Sequence, residues 1–179
     1  LPNSVTTIEK RAFVDGKLTT VKIGTSLKTI NSSTFASNQI STIDFSNVET
    51  IGEQAFIGNN LGELTLPNAL TTIGNSAFSN SNIHTIHWGN SIKSIGSGAC
   101  SSNQIKKLTV TAEKSCYAAV GCNPLEEVTL ADSVKAVEAN AFMGDNNNPT
   151  LKKIDLGQGV ESIGNTAFSN GLVESLQLP

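Results

Sequence analysis

Charge and aromatic rings are both scarce in this chain of 179 residues: 15% are Asp, Glu, Lys or Arg, and 5% are Phe, Trp or Tyr. The formal net charge of -3 supplies no basic field, so nucleic acid is not an expected partner. No run of about 18 apolar residues occurs, so no membrane insertion is expected. Cysteine is sparse too. Cys100, Cys116 and Cys122 are an odd number and too few for a disulfide framework. They leave the redox compartment open. No charged-then-apolar leader opens the chain.

What the sequence does have is repetition. Six of its seven phenylalanines occupy one point of a recurring phrase: Phe13, Phe35, Phe56, Phe78, Phe142 and Phe168. The first intervals are 22, 21 and 22 residues, the gap from Phe78 to Phe142 is 64, and the last interval is 26. A fixed period of roughly 20–50 residues marks a solenoid. Stacked coils make long surfaces more readily than enclosed pockets, which favours binding over catalysis. Leu1-Pro2 and Leu178-Pro179 fall at the same phase of the phrase, as expected for a fragment of a longer array.

Each period carries two apolar signatures. The first is apolar-x-x-apolar-x-apolar, from Leu18, Val21 and Ile23 through to Val173, Leu176 and Leu178, in eight copies. Its last three residues alternate, which is strand periodicity, so eight strands stacked one per coil are expected to form a parallel sheet. The second is apolar-x-x-Ile-Gly-x-x-Ala-Phe, clearest from Leu70 to Phe78 and from Val160 to Phe168. Its glycine calls for a left-handed or closely approached backbone. The Ala-Phe pair suggests about one helical or 3₁₀ turn, too short to stand alone as an α-helix. The Phe column is expected to fill the coil interior.

These signatures resemble the BspA-like, or Treponema pallidum-type, bacterial leucine-rich repeat. The resemblance covers nearly the whole chain. It implies a right-handed or curved leucine-rich-repeat solenoid, with a parallel β-sheet on one face and short turns or 3₁₀ segments on the other. Residues 1–179 are read as one such solenoid of about eight coils. The resemblance also implies an extracellular or cell-surface protein that adheres to host or matrix proteins or to other cells.

Two stretches break the pattern. Residues 111–124 form a degenerate coil: 14 residues separate Val110 from Leu125, against 16 between Leu66 and Ile83. Cys100 and Val120 stand where Phe belongs, so two consecutive coils lack their large filler. Interiors tolerate few voids, and the ring of Trp88 or Tyr117 is expected to take up that volume. Residues 143–150 read as a polar loop insertion, because nine residues rather than five lead from Phe142 to Leu151.

Candidate chemistry is thin. His84 and His87 are three apart, whereas two metal ligands on a strand prefer a spacing of two. They are read as exposed sheet residues, and no metal or cofactor is expected. Cys116 and Cys122 are either a disulfide across the degenerate coil or buried thiols. No His is placed to activate a cysteine nucleophile, and no catalytic residue is assigned. Gly157-Gln-Gly159 lacks the third glycine of a dinucleotide loop. Asn31-Ser32-Ser33 fits a glycosylation sequon in form only.

The remaining candidate is the solvent side of the strands. One outward column holds Glu63, Lys107, Glu127 and Lys153 among Thr and Ser; the next holds Lys22, Asp44, His87 and Asp155 among Thr. The C-terminal half alternates in sign from coil to coil, which avoids like-charge repulsion between strands about 4.8 Å apart. These eight residues are the candidate protein-binding surface. Two alternatives stand beside it: a passive spacer, and a non-catalytic recognition segment attached to an enzyme domain. Open sheet edges at the two ends also make end-to-end self-association possible.

Overall fold

The computed structural model describes residues 1–45, 47–110, 123–139, 141–142, 150–169 and 172–178. Among them the chain forms fourteen short strands. In order they are β1 (Thr20–Lys22), β2 (Thr29–Ile30), β3 (Thr42–Asp44), β4 (Thr50–Ile51), β5 (Glu63–Thr65), β6 (Thr72–Ile73) and β7 (Thr85–His87). There follow β8 (Ser94–Ile95), β9 (Lys107–Val110), β10 (Glu127–Leu130), β11 (Ala136–Val137), β12 (Lys153–Asp155), β13 (Ser162–Ile163) and β14 (Ser175–Gln177). Every pairing between them is parallel, and the fold is a parallel β-solenoid.

The first apolar signature gives β1, β3, β5, β7, β9, β10, β12 and β14, which lie on one face. Their central apolar residues are in register, Val21 opposite Ile43, Leu64 opposite Ile86, and Leu108, Val128, Ile154 and Leu176 in one row. Among the described residues this face is not one continuous sheet. It consists of β1-β3, β5-β7 and β9-β10-β12-β14.

The second signature builds a further ladder that the sequence reading did not anticipate. The Thr-Ile and Ser-Ile dipeptides pair as β2-β4-β6-β8, with Ile30, Ile51, Ile73 and Ile95 in register, and β11 pairs with β13. Two residues suffice because the Ile points inward while its neighbour's backbone completes the ladder. Beyond each ladder strand come turns; the described residues contain no 3₁₀ helix. The amides of Ala55, Ala77 and Ala167 each donate to the carbonyl three residues back, all at 3.3 Å. The residue before each Ala has positive φ: Gln54 at 55°, Ser76 at 53° and Thr166 at 55°. That combination marks a type II turn rather than a helical one.

The glycine ahead of this turn serves close approach. A Cβ on Gly74 would lie 2.5 Å from the Glu53 nitrogen and 2.6 Å from the Gly52 carbonyl carbon of the adjacent coil. The left-handed alternative falls away, since the positive φ belongs two residues later.

Rings fill the middle. Phe13, Phe35, Phe56 and Phe78 form one stack with centroids 5.3, 5.3 and 5.5 Å apart, and Phe142 stacks on Phe168 at 5.7 Å. Phe35, Phe56, Phe78 and Phe142 are fully buried, while Phe13 at the end of its stack is 38% exposed. Phe45, from the strand side, meets Phe56 and Phe78 edge-on at 5.6 and 6.3 Å. Cys100, in the Phe position, is buried. Trp88 is half-buried and packs against the same core. Its indole N–H is buried with no acceptor among the described residues. Tyr117, Cys116 and Cys122 lie outside the described residues, as do most of residues 111–124 and 143–150.

A polar column runs beside the rings. Asn38, Asn59, Asn103 and Asn123 are buried, each three residues after the Phe position. Asn103 Oδ1 accepts from the amides of Ser81 and Ile83, both at 2.9 Å, and its Nδ2 donates to the carbonyls of Phe78 and Cys100, both at 2.9 Å. Asn59 likewise accepts from the Ile40 amide and donates to the carbonyls of Phe35 and Phe56. Ser81 stands in this column and donates to the Phe56 carbonyl at 2.7 Å. Each side chain thus satisfies corner groups of two coils that the short strands leave unpaired.

Candidate functional site

Inward apolar residues fix the outward ones, because side chains alternate along a strand. Lys22, Asp44, Glu63, His87, Lys107 and Lys153 are exposed, and Glu127 and Asp155 are half-buried. All eight lie on the β1-to-β14 face, which brings neighbouring members together. Lys22 is opposite Asp44. His87 Nε2 lies 3.1 Å from Glu63 Oε1. Lys107 meets Glu127 at 3.1 Å, with Lys153 in register on the other side of Glu127. Asp155 turns its Oδ1 to the Gly157 amide at 2.9 Å. The N-terminal and C-terminal members do not converge on one point; they are spread along the solenoid axis.

The column one residue earlier adds a second set. Lys106 pairs with Glu126 at 2.9 Å and Lys152 with Glu174 at 3.7 Å. The Glu126 amide also donates to the Lys106 carbonyl at 2.7 Å, and the Lys152 amide to the Glu126 carbonyl at 3.0 Å. The hydrogen bond from Lys106, then its charge and those of Lys107 and Lys152, hold the Glu126 carboxyl below the usual glutamate range. Exposed pairs of this kind stabilise little individually. With Lys107–Glu127 they match Lys106, Lys107 and Lys152 to anions of the same face.

The N-terminal half differs. No strand pairing joins β3 to β5 among the described residues. The corner that follows β3 is one residue short: Phe45 to Val48 is three steps, where Ile23 to Leu27 and Leu66 to Leu70 are four. The ladder β2-β4-β6 stays in register past this point. On the strand face Ile43 is half-buried, while its counterpart Leu64 is 1% exposed. Ile43, Asp44, Phe45, Thr65 and Pro67 line an open pocket of about 360 Å³. The break between β7 and β9 carries no such deletion. The sequence reading missed this pocket.

His84 and His87 are both exposed, and no group of three or more metal-ligating side chains occurs among the described residues. No helix among them is long and apolar enough to cross a membrane. The Asn31 amide donates to the Ile8 carbonyl at 2.7 Å and is half-buried, so the formal sequon is engaged in coil stacking.

Compared with known protein families, the sequence matches the BspA type leucine-rich repeat region in six copies over residues 1–106 and 110–179. The chain belongs to the BspA-type leucine-rich repeat family. Its solenoid is similar to solved structures at low identity. The pneumococcal vaccine antigen PcpA is 18% identical with a TM-score of 0.44, over 90% of this chain and 62% of that one. A leucine-rich repeat protein from Bacteroides ovatus ATCC 8483 is 15% identical with a TM-score of 0.35, over 96% of this chain and 69% of that one. This BspA-type chain therefore spans less than two thirds of the PcpA chain. No curated protein matches it.

Proposed function

We propose that this BspA-type chain binds protein at the cell surface or outside the cell, in adhesion to host or matrix proteins or to other cells, and that it carries no catalytic site. The observation that carries this reading is the exposed face of β1 to β14. Its outward columns, from Lys22 to Asp155, form a long polar surface held in register by a rigid apolar interior. Eight strands at about 4.8 Å extend nearly 40 Å, enough for an interface of about 800 Å² per partner. Family membership supports protein binding in general.

The test is binding of the chain to a panel of matrix proteins and host-cell surfaces. Saturable binding supports adhesion. A folded chain that binds nothing on the panel contradicts it and favours a spacer. One observation favours the spacer as second reading: in the C-terminal half Lys106, Lys107 and Lys152 are matched to Glu126, Glu127 and Glu174. A recognition segment serving an attached enzyme domain is a third reading.

A further inference from the structure

Each large apolar side chain exposed among the described residues lies at one of the two ends of the solenoid. Leu1 and Phe13 are at one end; Ile163, Leu172, Leu176 and Leu178 are at the other. Leu176 is 46% exposed, whereas Ile154, its register partner one coil back, is 0% exposed. Repeat arrays usually close their ends with coils whose outer face is polar. Here both end faces are apolar instead.

The two ends are complementary. At the first, Leu1, Phe13, Leu18, Val21 and Phe35 wall an open pocket of about 140 Å³, with Thr20 and Lys22 at its rim. A cavity of about 150 Å³ takes a benzene-sized group, so this pocket has room for one aliphatic side chain. Among the described residues β1 pairs only with β3, and β14 only with β12, so each has one open edge. Leu1 covers just the last part of the β1 edge, where its amino group donates to the Lys22 carbonyl at 2.6 Å. Ser175, Leu176 and Gln177 hold the positions in β14 that Thr20, Val21 and Lys22 hold in β1.

We infer that this chain stacks end to end on further copies of itself, with β14 of one copy adding in parallel to β1 of the next. In the register of the other pairings on this face, Ser175 meets Thr20, Leu176 meets Val21 and Gln177 meets Lys22 of the next copy. Leu176 closes the pocket beside Val21, and Phe168 continues the ring stack onto Phe13. Leu178 takes the place of Leu1 beside Ile23. Its amide then donates to the Lys22 carbonyl, as the Leu156 amide does to the Gln177 carbonyl at 3.1 Å. Charge agrees as well. Glu174 and Glu161 fall opposite Thr19 and Thr6, and Lys22 falls opposite Gln177, so like charges do not meet across the join. The occupant is a second copy because the chain itself carries the open edge, the ring and the apolar row at the spacing each end requires. Such a join is heterologous and leaves a free end at every step, so it gives an open series rather than a closed dimer. It does not depend on the strand face being adhesive.

The test is sedimentation equilibrium on wild type, Leu176→Lys and Phe13→Lys, each first shown to be folded by thermal unfolding. Wild type should rise in mass with concentration, past the dimer. Each variant alone should stay monomeric. An equimolar mixture of the two should give heterodimers and nothing larger, because one variant keeps its β1 end and the other its β14 end. If Phe13→Lys does not fold, Leu18→Lys at the same pocket takes its place. Wild type that stays monomeric at every concentration overturns the inference. So does association of either variant alone, which would mean that like ends join, and so does a mixture that forms no heterodimer.

Discussion

Phe56 lies on Phe78 with ring centroids 5.5 Å apart and planes 8° from parallel, although 22 residues separate them. One coil of backbone is spent to bring each ring over the last. Both are fully buried, so the stack couples consecutive coils as well as filling them. Phe56→Ala should cost about 3–5 kcal/mol, measured by denaturant unfolding. Phe13→Ala should cost clearly less, because Phe13 is stacked on one side and 38% exposed. Equal losses would contradict a stack with a cooperative centre.

The buried asparagines give a second prediction. Asn103→Ala strips the acceptor from the amides of Ser81 and Ile83 and the donor from the Phe78 carbonyl, while the Cys100 carbonyl keeps the Asn123 side-chain amide. Orphaned buried groups cost about 1–3 kcal/mol each, so three of them give an expected loss of about 3 kcal/mol or more. Hydrogen exchange at Ser81 and Ile83 should rise more than at Thr85, whose place in the β5-β7 sheet is untouched.

Gly74 supplies a third. With backbone of the adjacent coil 2.5 and 2.6 Å from the position of a Cβ, Gly74→Ala forces two coils apart. The expected cost is about 1–3 kcal/mol. At Gly62, where a Cβ meets nothing within 4 Å, the space is open, and any penalty for Gly62→Ala comes only from its φ of 61°.

These three sites also show what was legible. The Phe column and the eight outward-facing strands could be read because rings and alternating apolar residues declare their burial. The asparagines could not, because a polar residue after an Ala-Phe turn reads as ordinary turn chemistry. Only stacking reveals that Asn103 lies between the corner amides of one coil and the carbonyls of two. The two-residue strands escaped for a related reason: Thr72-Ile73 has no period of its own, and its ladder exists only through Thr50-Ile51 and Ser94-Ile95. The pocket beside Ile43 escaped because nothing in the strand signature marks where pairing stops between β3 and β5.

The ion-pair columns respond to acid. Lys106 holds the Glu126 carboxyl below its usual range. A carboxyl with a depressed folded value contributes stability that is present above its unfolded value and lost as pH falls through the folded one. Wild type should therefore lose more stability than Glu126→Gln on acidification below the ordinary glutamate range. The difference should shrink in molar salt, where charges are screened within about 3 Å. Thermal unfolding at a series of pH values, with and without salt, checks both. Parallel pH curves for the two proteins would contradict the role given to Lys106.

The most direct test of the central claim compares two faces of the same solenoid. Lys107→Glu/Lys153→Glu reverses charge on the strand face, and Lys28→Glu/Lys93→Glu does so beside β2 and β8, with each variant first shown to be folded by thermal unfolding. For a panel protein that wild type binds saturably, the first variant should lose binding while the second retains it. Retention of wild-type affinity by the first variant, or equal loss by both, would contradict recognition through the strand face.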